Sequence, residues 1–274
     1  MEPFSLRGFA AVTERDNAQF GWKAVRQVLL FQNGFRVPEG FLLCLRDLDS
    51  AKAAYVKAME QFPEVMCANA IMRSSAAGED GAMSYAGVYD SIVFDGRSVE
   101  GFQDAVRKLM ASYASETAQT YARRNAAVPE TNACLTALVQ RMLAPSCSGV
   151  AYTVDPVTGI DRVVIESTHG INSLLTDGKI SPDYVQLDER GRILTRRRGK
   201  KQRIVCVNEG HITERVATAE ESDVFSITDE QIHTLWVAAQ QIQALAGKPQ
   251  DIEWAFENGE LYVLQNREIS TLGW

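Results

Sequence analysis

The chain has 274 residues, 46% hydrophobic and 23% charged, which is ordinary globular material with enough apolar substance for one large or two smaller cores. A formal net charge of −7 argues against a general nucleic-acid binder, and no apolar run reaches membrane-spanning length. The five cysteines (Cys44, Cys67, Cys134, Cys147, Cys206) are odd in number and form no Cys-x-x-Cys pair, so neither a disulfide framework nor a zinc site is indicated. The N-terminal stretch lacks the basic-then-apolar plan of a signal peptide, and the expectation is a soluble protein of a reducing cytoplasm.

In chain order, residues 17–33 carry Phe20, Ala24, Val28 and Phe31 at helical spacing, with Asn33-Gly34 as the stop. Lys23 falls in the first turns, after Phe20-Gly21; a single helical lysine is ordinarily just solvated. The apolar run Phe41-Leu42-Leu43-Cys44 follows, then an amphipathic helix over 47–62 and a strand over 65–72. That strand enters Arg73-Ser-Ser-Ala-Ala-Gly-Glu-Asp-Gly-Ala-Met-Ser-Tyr-Ala-Gly87, whose small residues let backbone N–H groups approach a phosphate, with Arg73 at the mouth. No Walker-type Gly-x-x-x-x-Gly-Lys-Ser/Thr occurs, and most such loops bind nothing.

Ser91-Ile-Val-Phe94 reads as a strand and 99–124 as a helix with Phe102, Val106, Leu109, Met110 and Tyr113 inward. Polar Pro129-Glu-Thr-Asn132 marks a seam, giving an N-terminal lobe over 1–130 and a sheet-rich C-terminal lobe over 131–274. In the latter, 135–143, Val150-Ala-Tyr-Thr-Val154 and Val163-Val-Ile-Glu166 are strand-like, and 184–194 and 204–215 are hairpin-like. The basic run Arg196-Arg197-Arg198-Gly199-Lys200-Lys201 is expected on a solvated hairpin. Thr228-Asp-Glu-Gln231 is a capping box, Ile227 and Ile232 a hydrophobic staple, and Gly247 with Pro249 the stop of the last helix.

The final stretch, 251–267, is a hairpin with a turn at Asn258-Gly259. A two-residue loop pairs Glu257 with Glu260 and puts Gln265 on the face opposite Glu253; a three-residue loop pairs Phe256 with Glu260 and reverses that. Only the second gathers Ile252, Trp254, Phe256, Tyr262 and Leu264 on one face and Asp251, Glu253, Gln265 and Arg267 on the other, so it is the expected register. A carboxylate beside an amide oxygen suits Mg²⁺, which completes its octahedron with water and phosphates, and the guanidinium lies one pleat away. The competing reading is a solvated hairpin face.

Together Arg73-Ser-Ser-Ala with Glu79-Asp80 and Tyr85-Ala-Gly87, Val139-Gln-Arg-Met142, Gly149-Val-Ala-Tyr-Thr-Val-Asp-Pro156, Asp251-Ile-Glu-Trp254 and Leu264-Gln-Asn-Arg267 resemble the ATP-binding (PEP/pyruvate-binding) domain shared by phosphoenolpyruvate synthase, pyruvate phosphate dikinase and rifampin phosphotransferase. The resemblance implies an α+β, two-lobed ATP-grasp fold holding ATP and Mg²⁺ between its lobes. It implies that ATP is split to AMP and phosphate while a phosphoryl group passes through a histidine on a swivelling domain. It further implies Lys23, Arg73 and Arg267 as catalytic phosphate contacts and Glu253 and Gln265 as metal ligands. Ser84, Gly87, Gln140, Met142 and Ser173 complete the implied nucleotide site. Trp22 stands where the family has a second glycine before the lysine. Thr117 stands where the family has an arginine, with Arg123 or Arg124 out of register, and Ser173 ends Gly170-Ile-Asn-Ser173 where a Gly-Leu-Gly-Glu is usual.

The chain has three histidines, and neither His169, His211 nor His233 lies in a sequence like the family's phosphohistidine loop. His169, beside Gly170, is the one expected near the nucleotide. The leading reading is an ATP-binding component that phosphorylates a histidine on a separate domain or subunit, as in a split, phenylphosphate synthase-like system, with the small-molecule acceptor bound by the partner. The alternative, favoured by Thr117 and Ser173, is a non-catalytic nucleotide-binding regulatory module; a kinase acting directly on a small molecule is a third.

Overall fold

Two apolar strand patterns dominate the chain, and each forms the centre of its own antiparallel sheet. The computed structural model describes residues 3–75, 91–113, 135–208 and 210–269, and its architecture is α+β. The chain divides into two units, one taking Met1–Asn33 with Pro38–Met142, the other Gly34–Val37 with Leu143–Trp274. Ser84, Gly87, Thr117, Arg123, Arg124 and the expected seam at 129–132 lie outside the described residues.

In the first unit, β1 (Phe4–Gly8), β2 (Gly40–Leu45), β3 (Asn69–Ser74), β4 (Ser91–Asp95) and β5 (Leu135–Arg141) form a sheet in the order β1-β2-β5-β3-β4. β5 is central and almost wholly buried, which is why this unit runs on to Met142 rather than ending near 130. One face carries Phe41, Leu43, Leu45, Met72, Ala137 and Val139 against α2 (Ala51–Gln61), α3 (Pro63–Met66) and α4 (Val99–Tyr113). Val65 and Met66, expected in a strand, belong to α3 because Pro63 opens a helical turn there. On its other side the sheet meets α1 (Asn17–Gln32), which buries Phe20, Ala24, Val25 and Val28.

In the second unit, β6 (Cys147–Tyr152), β7 (Val163–His169), β8 (Asp183–Leu187), β9 (Ile193–Arg197), β12 (Gln250–Glu257) and β13 (Glu260–Glu268) are ordered β13-β12-β6-β7-β8-β9. β10 (Arg203–Asn208) and β11 (His211–Val216) pair as a separate hairpin. Two short helices, α5 (Ser173–Thr176) and α6 (Ala219–Asp223), precede the long α7 (Asp229–Ala246). α7 begins in the expected capping box at Thr228 and Gln231, and buries Ile232, Leu235, Ala239 and Ile242. It lies on the face of Trp254 and Phe256, where Gln231 meets Cys147.

The closing hairpin corrects the expected register. Glu257 pairs with Glu260, so the loop has two residues, Asn258 and Gly259, both left-handed at φ 52° and 81°. The ladder then shifts: Trp254 pairs with Val263 but Glu253 pairs with Gln265, leaving Leu264 as the extra residue of a β-bulge. The bulge reverses the parity set by the turn, so Glu253 and Gln265 do share a face. Nearer the tip, Leu261 and Val263 pair with Phe256 and Trp254, whereas Tyr262 stands opposite Ala255. Tyr262 and Leu264 therefore pack with Leu143 and Ala255 in a small cluster of their own.

The basic run is not uniformly solvated either. Arg196 stacks over Phe225 at 4.0 Å and pairs with Asp229, and Arg197 lies over Tyr184 at 4.4 Å. Lys201 is fully buried and bonds Asp183 at 2.6 Å. The same carboxylate accepts from the Gly199 and Ser226 N–H groups at 2.8 and 2.7 Å and from the Ser226 hydroxyl at 2.8 Å. Among the described residues no helix is long and apolar enough to cross a membrane.

Candidate functional site

Cross-strand partners in an antiparallel sheet point to the same side, so the pairings define what each face presents. One row across the second sheet reads Gln265, Glu253, Val150, Glu166, Tyr184, Arg197. The row beside it reads Arg267, Asp251, Tyr152, Val164, Gln186, Thr195. This face is opposite the one that packs on α7, and it concentrates Glu253, Gln265, Asp251, Arg267, Glu166 and Tyr152 at half-buried or buried positions.

The charges on this face act on one another. Arg267 donates from Nε to the Asp251 carboxylate at 2.8 Å. Burial pushes the Asp251 carboxyl above its ordinary value, opposed by Arg267. Burial disfavours the Arg267 cation, yet Asp251, Glu253 and Tyr152 outweigh it and raise its pKa. The Tyr152 phenol is pushed up to about 12 by burial, with Asp251 and Glu166 adding to the effect, so it stays a neutral hydroxyl. Glu166 is also raised, by burial first and then by Asp251.

Glu253 and Gln265, directly paired, offer one carboxylate and one amide oxygen. Among the described residues no three or more His, Cys, Asp or Glu side chains group to hold a metal. The donor set thus fits a hard cation that brings most of its own shell, as Mg²⁺ does with phosphates and water, and not a fully protein-caged ion.

The first unit holds Lys23 and Arg73, both half-buried. Gly21, at φ 73° and ψ 162°, breaks α1 so that regular turns resume just before Lys23. Buried Ser75 ties this break to the end of β3: its hydroxyl donates to the Phe20 carbonyl and accepts from the Ala24 N–H at 3.0 Å. Thr136 in turn donates to the Ser75 carbonyl. The Arg73-Ser-Ser sequence therefore anchors the lysine-bearing turn. Ser75 went unremarked in the sequence because its partners lie more than fifty positions away, at |i−j| of 51 and 55.

Gln140 is 1% exposed and spends its amide N–H on the Pro38 carbonyl at 3.1 Å, while the Met142 N–H bonds the Asn69 carbonyl at 2.9 Å. Ser173 begins α5 in the second unit. His169, expected near the nucleotide, pairs with Cys147 on the α7 side of the sheet and bonds the Glu221 carbonyl at 3.0 Å, so it faces away from Glu253. Burial lowers its pKa. Glu166 and Tyr152 stand on the same face as Glu253 and Asp251, and sequence reading did not single them out.

The sequence profile of the pyruvate phosphate dikinase AMP/ATP-binding domain matches residues 47–273. A probable phosphoenolpyruvate synthase of Methanothermobacter thermautotrophicus is 32% identical over 204 residues, 74% of this chain and 30% of that protein. A rifampicin phosphotransferase of Bacillus subtilis is 32% identical over 204 residues, 73% of this chain and 23% of that protein. The chain thus spans under a third of the length of these relatives. Among solved structures, acetyl-coenzyme A synthetase 1 of Ca. Korarchaeum cryptofilum superposes with a TM-score of 0.46 at 12% identity, covering 89% of this chain and 90% of that one.

Proposed function

The chain belongs to the pyruvate phosphate dikinase AMP/ATP-binding domain family, and from that premise we propose that it is the ATP-binding component of a dikinase-type phosphotransferase with an ATP-grasp fold. It takes ATP with Mg²⁺ and releases AMP, one phosphoryl group passing to a histidine on a separate domain or subunit and the other to water as phosphate. A split, phenylphosphate synthase-like system, whose partner binds the small-molecule acceptor, fits this reading. The observation that carries it is the pairing of Glu253 with Gln265 one pleat from the Arg267–Asp251 ion pair.

The chemistry suits these groups. Phosphoryl transfer spreads negative charge over the transferred oxygens, so the protein mainly orients the nucleotide and supplies positive charge. Lys23, Arg73 and Arg267 are the proposed sources of that charge. Asp251 holds the Arg267 guanidinium in place through the 2.8 Å bond. Glu253 and Gln265 would hold Mg²⁺, which when bound neutralises phosphate charge. Ser84, Gly87, Gln140, Met142 and Ser173 complete the proposed nucleotide contacts, with Gln140 and Met142 contributing through the backbone they stabilise.

Calorimetric titration with ATP tests the reading. The wild-type chain binds ATP in Mg²⁺ and much more weakly in EDTA, and Glu253→Ala or Gln265→Ala removes most of the Mg²⁺ dependence, about ten- to a hundredfold in affinity. A chain that binds no nucleotide, or binds it equally with and without Mg²⁺, overturns it.

A further inference from the structure

Glu166 is a half-buried carboxylate on the same face and in the same row as Glu253, with Val150 between them. It makes no hydrogen bond or ion pair with any described residue, and its nearest charged influence is the like-charged Asp251. Folding has removed part of its hydration and, among the described residues, returned no partner, which makes it a candidate for contact with a ligand. Asp251 on the same face differs: it has Arg267.

What Glu166 can receive follows from its charge. An ionised carboxylate accepts hydrogen bonds and donates none, so it repels phosphate oxygens and faces a part of the ligand that carries donors. Glu253 and Glu166 are two strand spacings apart, roughly 10 Å between backbones. That separation matches the reach of a nucleoside triphosphate from its terminal phosphates to its sugar. The sugar offers two adjacent hydroxyls, and a carboxylate offers two oxygens.

On the nucleotide-binding reading given above, which this rests on, we infer that Glu166 is a specificity-determining residue that accepts hydrogen bonds from the ribose 2′- and 3′-hydroxyls while the phosphates lie toward Glu253 and Arg267. The Tyr152 hydroxyl, in the adjoining row, stays neutral and adds no second anion beside Glu166. The site thereby selects ribonucleotides over their deoxy counterparts.

The test is calorimetry on the full chain with Mg²⁺ and ATP, 2′-deoxy-ATP or 3′-deoxy-ATP. Wild type prefers ATP over each deoxy form by about ten- to a hundredfold, the worth of a hydrogen bond to a charged group. Glu166→Ala brings all three to near parity, at the wild-type affinity for the deoxy forms. Glu166→Gln, which keeps an acceptor and the shape, retains part of the preference and melts cooperatively. The inference is overturned if wild type shows no sugar preference, or if Glu166→Ala keeps it or weakens all three ligands alike. Absence of any nucleotide binding by wild type removes the underlying reading as well, and so is distinguishable from failure of the Glu166 assignment alone.

Discussion

At Glu166 the fold holds a carboxylate that no described residue satisfies, and such a residue leaves a signature in the unliganded protein. Its pKa is raised in the folded state, so folding favours its protonated form. The stability cost is absent below the unfolded carboxylate pKa and grows as pH rises through the folded value. Glu166→Gln should therefore raise the melting temperature at neutral pH, and the gain should vanish as the pH falls to about 4, near the unfolded carboxylate pKa. His169 has the converse sign. Burial lowers its pKa, so the stability of its neutral form is present above the unfolded imidazole value and is lost as pH falls below it. Melting curves of His169→Gln should lack that part of the acid slope. Ser75→Ala strands the Phe20 carbonyl and the Ala24 N–H, costing about 2 kcal/mol in denaturant unfolding. Glu166 was illegible in Val163-Val-Ile-Glu166 because its meaning depends on what stands opposite, Val150 and then Glu253. The orientation of His169 was more accessible: three residues beyond Glu166 in one strand, it must face the other way.

Among the elements, the hairpin of β12 and β13 shows how two departures from expectation can restore the expected outcome. The alternation of polar and apolar residues demanded that Glu253 and Gln265 share a face, and sequence reasoning assigned the parity to the turn. The turn supplies the opposite parity, and the bulge at Leu264 corrects it. A bulge inside an alternating run has no local sequence mark, since Leu264 simply looks like the next apolar position; the turn at Asn258-Gly259 was legible, its length was not. Direct pairing makes Glu253 and Gln265 a unit. A double-mutant cycle on Mg²⁺-dependent ATP affinity should give a coupling of about 1 kcal/mol or more, with the second alanine costing little after the first. Additive losses would mean that the two side chains do not share an ion. The Asp183–Lys201 pair shows the same dependence on long-range partners, since it joins β8, the segment from Gly199 and the turn at Ser226. Asp183→Ala should cost about 3 to 5 kcal/mol, because Lys201 is left charged and fully buried. Composition alone placed Lys201 in water with its basic neighbours, because the buried acid that accepts it lies 18 residues earlier.

For the whole molecule, what the sequence made legible was order: the succession of motifs ran in the family's sequence even though each motif was weak, and the family profile spans 47–273 accordingly. The strand at Leu135–Arg141 was assigned to the wrong unit because pairing partners, not composition, decide sheet membership. The same long view bears on the phosphoryl acceptor. His169 is tied to the Glu221 carbonyl on the α7 side, His233 stacks on Trp236 at 5.8 Å, and His211 is exposed on the β10–β11 hairpin. None shares the face of Glu253 and Arg267, which is in keeping with the proposed transfer to a histidine that another domain or polypeptide brings. Incubating the chain with γ- or β-labelled ATP and Mg²⁺ should leave it unlabelled. Adding a histidine-bearing partner domain should produce an acid-labile, base-stable phosphohistidine on that partner, together with AMP. Label on His169, His211 or His233 of the chain itself would contradict this route. Tight ATP binding with no phosphohistidine on any partner domain would favour a regulatory nucleotide-binding module, and Lys23→Ala and Arg267→Ala distinguish the two. In a phosphotransferase each variant lowers the labelling rate by about a hundredfold or more, beyond its loss of ATP affinity, because the charge it removes acts most strongly on the transition state. In a module each variant changes affinity alone.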